Sequence, residues 1–222
     1  MAQPIPPSAS DWWLLFNLFI YIGVIAAAVT IGAMVHFAIK YRQRKGQPET
    51  RLQFDSALSR RKELSTLAVI SAVLLFTLAL ASYRLTLSFQ YPPSTPNTLT
   101  VDVTAFQWSF GFHYPNGADT VGQCYVPAGR PVVFNVTSSD VMHNFGLPDF
   151  KLKIDAIPGR YNTLWIVPPY PAANANLTYQ IRCYELCGTG HTYMIGTLVV
   201  MEPEAFDRWL SKGGGNMTMG GG

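Results

Sequence analysis

Charged side chains are scarce in this chain: Asp, Glu, Lys and Arg make up 13% of its 222 residues, against about 25% in soluble globular proteins. The scarcity is concentrated in two places. Neither the 28 residues from Trp12 to Ile39 nor the 20 from Leu64 to Tyr83 include a single Asp, Glu, Lys or Arg. A bilayer core of about 30 Å is crossed by about 20 apolar residues in helical form, so each run is long enough to span. A cleaved secretory leader is the competing reading of the first run. It is disfavoured because residues 1–11 contain no Lys or Arg, and because the run far exceeds the roughly 7–15 apolar residues of such a leader. Cysteine and histidine are also rare, three and four in all. An internal repeat is lacking altogether.

The basic residues fix an orientation. Lys40, Arg42, Arg44, Lys45, Arg51, Arg60, Arg61 and Lys62, half of the chain's 16, lie between the two spans, and Asp11 is the only charge before them. Lys and Arg stay on the cytoplasmic side of a membrane. The connecting segment from Tyr41 to Ser59 is therefore expected inside, with both termini and everything after Arg84 outside, in a plasma or inner membrane. Trp12 and Trp13 stand where indoles favour the outer interface. Glu63 opens the second helix, where the helix dipole alone favours a carboxylate, and His36 faces headgroups or a neighbouring helix.

Tyr91 to Asn97 holds three prolines and separates the helical part from a region of different periodicity. Leu99, Val101 and Val103 alternate with Thr98, Thr100, Asp102 and Thr104, the pattern of a half-buried strand. Residues 131–137, 161–167, 177–183 and 195–201 are further strand candidates, divided by turn sequences such as Pro115-Asn116-Gly117 and Pro158-Gly159. Short strands at this spacing predict a sandwich or barrel of about 110 residues. A short helix starting at Glu202-Pro203 follows, with proline at its first position. The expected organisation is a membrane-anchoring hairpin over 1–90 (spans about 12–39 and 64–84), an extracytoplasmic β domain over 91–212, and a glycine-rich tail over 213–222. From Tyr91 onward nine acids face seven bases, a net charge of −2, which gives no support to a nucleic-acid partner. Three sequons, at Asn135, Asn176 and Asn216, are attributed to chance.

Two of the three cysteines and one histidine fall within Cys183-Tyr184-Glu185-Leu186-Cys187-Gly188-Thr189-Gly190-His191-Thr192-Tyr193-Met194. Cys183 continues the inward-facing row of Leu177, Tyr179 and Ile181. Cys187, His191 and Met194 follow at steps of four, four and three. Gly188 and Gly190 let the backbone turn sharply enough to gather these side chains. A Cys183–Cys187 disulfide is chemically open to an extracytoplasmic domain, but leaves His191 and Met194 without a role. Zinc accepts cysteine and histidine and rarely methionine. Copper uses all of them, with thiolate and imidazole as strong ligands and thioether as a weak one; a second cysteine beyond the one a mononuclear site needs suggests two coppers sharing both sulfurs. A second imidazole is then required. His143, just past the strand at 131–137, is the best placed; His113 reads as a surface turn residue, and Cys124 as a small buried apolar one.

Taken together, the C-x3-C-x3-H-x2-M loop, the upstream Met142-His143-Asn144-Phe145, the run Lys153 to Arg160, Gln107-Trp108 and the helical hairpin resemble subunit II of the haem-copper cytochrome c oxidases. The resemblance covers nearly the whole chain. It implies a cupredoxin-like fold and a dinuclear copper A centre bridged by Cys183 and Cys187, with His143 and His191 as terminal imidazoles, Met194 as axial ligand and Glu185 contributing its backbone carbonyl. It further implies that the Glu185 side chain reaches a magnesium or manganese ion shared with the catalytic subunit. Trp108 matches the tryptophan that receives electrons from cytochrome c, and Glu63 the glutamate at the mouth of a proton pathway. The run Gln107-Trp108-Ser109-Phe110-Gly111-Phe112 departs from the family in having fewer Trp and Tyr and no neighbouring acid, which leaves open a divergent cytochrome c, a small copper protein or a haem domain as donor. The implied activity is reduction of oxygen to water by a proton-translocating oxidoreductase whose other subunits hold the haem. The alternatives are the copper A subunit of a nitric oxide reductase, or a membrane-tethered copper-delivery module.

Overall fold

The computed structural model describes residues 9–42, 57–92, 95–171 and 176–215. Most of the predicted basic connection, most of the leader, the end of the glycine-rich tail and the sequon at Asn216 lie outside them. Two compact units result, one of residues 10–85 and the other of the remainder.

The first unit is built from helix α1 (Ala9–Lys40) and helix α2 (Ala57–Gln90). Within them Phe16–Lys40 and Arg61–Arg84 are long and apolar enough to cross a membrane, and neither stretch is buried inside the chain. At 1.5 Å per residue, 24 or 25 residues exceed the ~30 Å of hydrocarbon. Two hydroxyls inside these runs bond within their own helix, Thr30 Oγ1 to the Ala26 carbonyl at 2.8 Å and Thr77 Oγ1 to the Val73 carbonyl at 2.7 Å, as an apolar surrounding favours. Glu63 differs from expectation. The helix begins six residues earlier, at Ala57, so Glu63 lies beyond the first turn and the dipole argument for it fails, because that field decays within one turn.

The second unit is a sandwich of two five-stranded sheets with a C-terminal helix. Its strands are β1 (Leu99–Phe106), β2 (Ser109–His113), β3 (Asp119–Val121), β4 (Gln123–Pro127), β5 (Val132–Ser138), β6 (His143–Leu147), β7 (Leu152–Ala156), β8 (Asn162–Ile166), β9 (Leu177–Arg182) and β10 (Ile195–Met201). One sheet runs β3-β2-β1-β5-β8 and the other β4-β10-β9-β6-β7. Alternation makes the core: Val101, Val103 and Ala105 turn inward from β1, while Asp102 turns out to accept a bond from Asn135 of the neighbouring strand at 3.0 Å. The Phe145 ring of the second sheet packs between Phe110 and Phe134 of the first, at centroid distances of 5.6 and 5.3 Å. Helix α3 (Pro203–Ser211) buries Phe206 and Trp209 against Tyr114 and Tyr125, and Arg130 forks onto Asp207.

The five strands expected from sequence are all present. The other five are short, and β6 is buried at every residue, so it shows no alternation. His143, expected just past the strand at 131–137, is the first residue of a further strand, β6, where it pairs with Ala156 of β7. Cys124 is buried and His113 exposed, paired with Asp119 at 2.7 Å, both as expected.

Candidate metal centre

Strands β9 and β10 are neighbours in antiparallel register, Arg182 opposite Ile195. Cys183 and Met194 continue that pairing by one step, the Cys183 N–H donating to the Met194 carbonyl at 3.2 Å. The ten residues between are therefore a loop closed at its base. A 3-10 turn over His191–Tyr193 compacts its second half. Gly188 sits at φ +114°, a conformation that side-chain-bearing residues rarely adopt. His143 reaches the same point from β6.

The side chains meet. Atoms of His143, Cys183 and Cys187 lie within 4.8 Å of one another. The two sulfurs are 3.8 Å apart, nearly twice the ~2.05 Å of a disulfide, and both thiols are free. Each sulfur has its own imidazole: His143 Nδ1 is 3.9 Å from Cys183 Sγ, and His191 Nδ1 is 3.5 Å from Cys187 Sγ. Met194 Sδ is 3.8 Å from Cys187 Sγ, and the Glu185 carbonyl accepts from Cys183 Sγ at 3.3 Å. The Glu185 carboxylate does not belong to the cluster. His143 and Met194 are fully buried, Cys183 and Cys187 nearly so, and His191 half-buried.

Such a donor set fits a soft metal. A sulfur–sulfur gap of 3.8 Å is spanned by a metal bonded to both at the ~2.3 Å typical of metal–thiolate bonds. Two thiolates, two imidazoles and a thioether match copper chemistry. Burial and the neighbouring Cys183 push the Cys187 thiol up to about 11, so metal uptake at neutral pH has to displace its proton.

The support around these groups was not visible in the sequence. Asp140 Oδ1 lies 2.8 Å from His143 Nε2 and 2.6 Å from the Val141 N–H, and its Oδ2 accepts from the Gln107 N–H at 2.8 Å. Partial burial works against ionising Asp140, but the bonds from His143, Gln107 and Val141 outweigh it and hold the carboxyl at about 2. A carboxylate on the far nitrogen fixes the imidazole so that Nδ1 faces the sulfurs. The only sequence signal for this partner was an Asp three residues before the candidate histidine. Trp108, exposed at 40%, lies over the loop: its Nε1 is 3.3 Å from the Cys187 carbonyl, and its ring occupies the space a Cβ on Gly190 would need. Glu63 belongs to the other unit.

Residues 117–202 match the profile of the family described as cytochrome c oxidase subunit II, periplasmic domain. A heme-copper oxidase subunit 2 of Aeropyrum pernix is 35% identical over 212 residues, covering 90% of this chain and 88% of the relative. This chain belongs to the subunit II family of the haem-copper oxidases. A cytochrome c oxidase subunit 2 of Alkalihalophilus pseudofirmus is 31% identical over 214 residues, covering 92% of this chain and 60% of that one. Among solved structures, the periplasmic domain of subunit II of cytochrome oxidase from Bradyrhizobium japonicum is similar at 28% identity, covering 55% of this chain and 96% of the other with a TM-score of 0.49. As a member of the subunit II family the chain is one component of an oxidoreductase, and it combines two membrane-length helices with a β domain of the family's extracytoplasmic type.

Proposed function

We propose that this chain is the electron-accepting subunit of a terminal oxidase, anchored by residues 1–90 and carrying a dinuclear copper A centre in its outer domain. The observation that supports this most directly is the pairing of each buried sulfur with its own imidazole across a 3.8 Å gap. In this reading the Cys183 and Cys187 thiolates, the His143 and His191 imidazoles, the Met194 thioether and the Glu185 carbonyl would hold the copper. Such a centre, when bound, takes up and releases one electron at a time.

The chain's own groups supply the geometry. Asp140 holds the His143 ring, the closed base of the loop holds Cys183 and Met194, and burial excludes water from both sulfurs. Trp108, exposed on one side and hydrogen-bonded to Cys187 on the other, offers a route from a docked donor, cytochrome c or a similar small carrier, to the centre. A haem held by a catalytic subunit would be the acceptor beyond this chain and would supply the chemistry of oxygen reduction. The Glu185 carboxylate, lying outside the sulfur cluster, is free for a magnesium or manganese ion at the catalytic subunit, to which this chain alone supplies one ligand. Glu63, exposed on α2, is assigned to proton uptake. Both termini and the copper domain are outside the cytoplasm.

The complex purified from native membrane should carry two chelator-resistant coppers on this subunit, show a mixed-valence electron paramagnetic resonance signal, and consume oxygen. One copper or none in assembled protein sinks the dinuclear assignment. Consumption of nitric oxide instead of oxygen moves the chain to the reductase class. Trp108→Ala should slow reduction by the donor with the copper spectrum intact; loss of the spectrum would make Trp108 a structural residue.

A further inference from the structure

Gln107 stands at the tip of the β1–β2 hairpin, far in sequence from every candidate ligand, yet it touches both halves of the centre. Its side-chain Nε2 donates to the Cys187 carbonyl at 2.7 Å, and its backbone N–H donates to Asp140 Oδ2 at 2.8 Å, while Oδ1 of the same carboxylate holds His143 at 2.8 Å. The Cys187 carbonyl has two lone pairs; Gln107 takes one, and Trp108 Nε1 at 3.3 Å approaches the other. The loop is shaped to admit this contact, since a Cβ on Gly188 would come within 3.0 Å of Gln107 Nε2.

We propose that Gln107 is a positioning and redox-tuning residue: its amide ties the Cys187 half of the loop to the carboxylate that orients His143, and so sets how readily the centre accepts an electron. This rests on the copper reading above. The physical argument has two parts. A short bond from a hairpin tip ties the Cys187 peptide, and with it the sulfur, to the separate strand pair β1–β2. A neutral N–H aimed at that carbonyl also withdraws electron density beside the ligand and favours the electron-richer state, as outer hydrogen bonds do at metal sites. Removing the donor should therefore lower the reduction potential, and substituting a negative charge should lower it further.

Two substitutions of matched length separate donation from packing. Gln107→Met keeps bulk and loses the donor; Gln107→Glu keeps shape and polarity but presents a carboxylate to the carbonyl. Both leave the backbone N–H to Asp140 and the Trp108 ring in place. The first readout is the reduction potential of the copper in the purified complex, expected in the order wild type, Met, Glu from highest to lowest. The Met variant should show about a fivefold fall in the reduced-to-oxidised ratio at fixed poise, the factor carried by one net hydrogen bond. The second readout needs no metal: in the copper-depleted full-length chain, alkylation at Cys187, followed by peptide mass spectrometry, should be about fivefold faster in both variants. A wild-type potential in the Met variant overturns the proposal. So does unchanged Cys187 alkylation in both variants, whether or not the chain takes up copper. A wild-type chain that takes up no copper refutes the function proposed above instead, and the alkylation series still decides the role of Gln107.

Discussion

Replacing Asp140 by alanine tests how the centre is held from outside its ligands. His143 is fully buried, and its Nε2 is 2.8 Å from Asp140 Oδ1. A hydrogen bond to a charged group is worth about 1.5–3 kcal/mol, and a buried donor left unpaired costs a similar amount. Loss of a group that supports a metal-bound histidine typically lowers metal affinity about 10–100-fold, or roughly 1.4–2.8 kcal/mol, so the two scales agree. Asp140→Ala should therefore weaken copper binding by about that factor. Asp140→Asn is the sharper variant, because it keeps volume and one acceptor. Asp140 receives N–H groups from His143, Gln107 and Val141, and an amide must turn its NH2 toward at least one of them. Its loss should fall between wild type and alanine. Chelator competition on the purified full-length chain gives the affinities, and circular dichroism checks the fold. An asparagine variant that is folded and binds copper within about twofold of wild type would show that Asp140 is a surface residue beside the site and nothing more.

Gly190→Ala separates the tryptophan from the centre it covers. The backbone at Gly190 has φ −90°, which alanine adopts without strain, so only the collision with Trp108 Cγ and Cε3, at 2.6 and 2.7 Å from the added carbon, opposes the change. The expected outcome is an outward-turned indole, seen as altered Trp fluorescence, and slower reduction by the donor with the copper signal retained; an unchanged reduction rate would detach Trp108 from the electron path. The Arg130–Asp207 fork that secures α3 is partly exposed, at 32% and 51% of the two side chains, so solvent screening limits its worth to about 0.2–1 kcal/mol. Arg130 holds the Asp207 carboxyl below its ordinary value. Its contribution is thus present above the unfolded carboxylate value of about 3.9 and disappears as pH falls through the depressed folded value. A double-mutant cycle by thermal unfolding should show coupling at pH 6 that weakens as pH falls below about 3.9; coupling that does not change with pH contradicts the ionic assignment.

How far the sequence carried depended on whether a contact left a local trace. The strands β1, β5, β8, β9 and β10 announce themselves because each mixes β-branched or aromatic residues with a recognisable turn at one end. Strand β6, His143 to Leu147, contains an Asn and a Gly and is buried throughout, so neither alternation nor propensity marks it, and the sequence locates His143 only as lying just past the strand at 131–137. The candidate ligands were legible because thiol, imidazole and thioether are rare in this chain and stand a few residues apart. Asp140 and Gln107 were not. Gln107 meets Asp140 across 33 positions and Cys187 across 80, and an Asp or a Gln in a loop carries no chemical signal until the fold brings it to its partner. Glu63 shows the opposite failure: a local argument, the helix dipole, attached to a residue that the helix start at Ala57 carries beyond its reach.

The loop from Cys183 to Met194 combines closure and ligation in one place. The backbone bond that joins its ends, Cys183 N–H to Met194 carbonyl, is made by two of the candidate ligands themselves. Fraying at the base would therefore move the Cys183 sulfur and the Met194 thioether together. Such fraying is opposed by the β9–β10 ladder immediately behind it, Arg182 opposite Ile195 and Gly196 opposite Ile181, and by the burial of both end residues. The far end of the loop has no strand behind it, and there Gln107 and Trp108 take up the Cys187 carbonyl. A centre that exchanges single electrons works best when its ligands hold nearly the same positions before and after, within about 0.5 Å. Two anchors on opposite sides of the sulfur pair, one from the loop's own strands and one from the β1–β2 hairpin, supply that constraint without a disulfide.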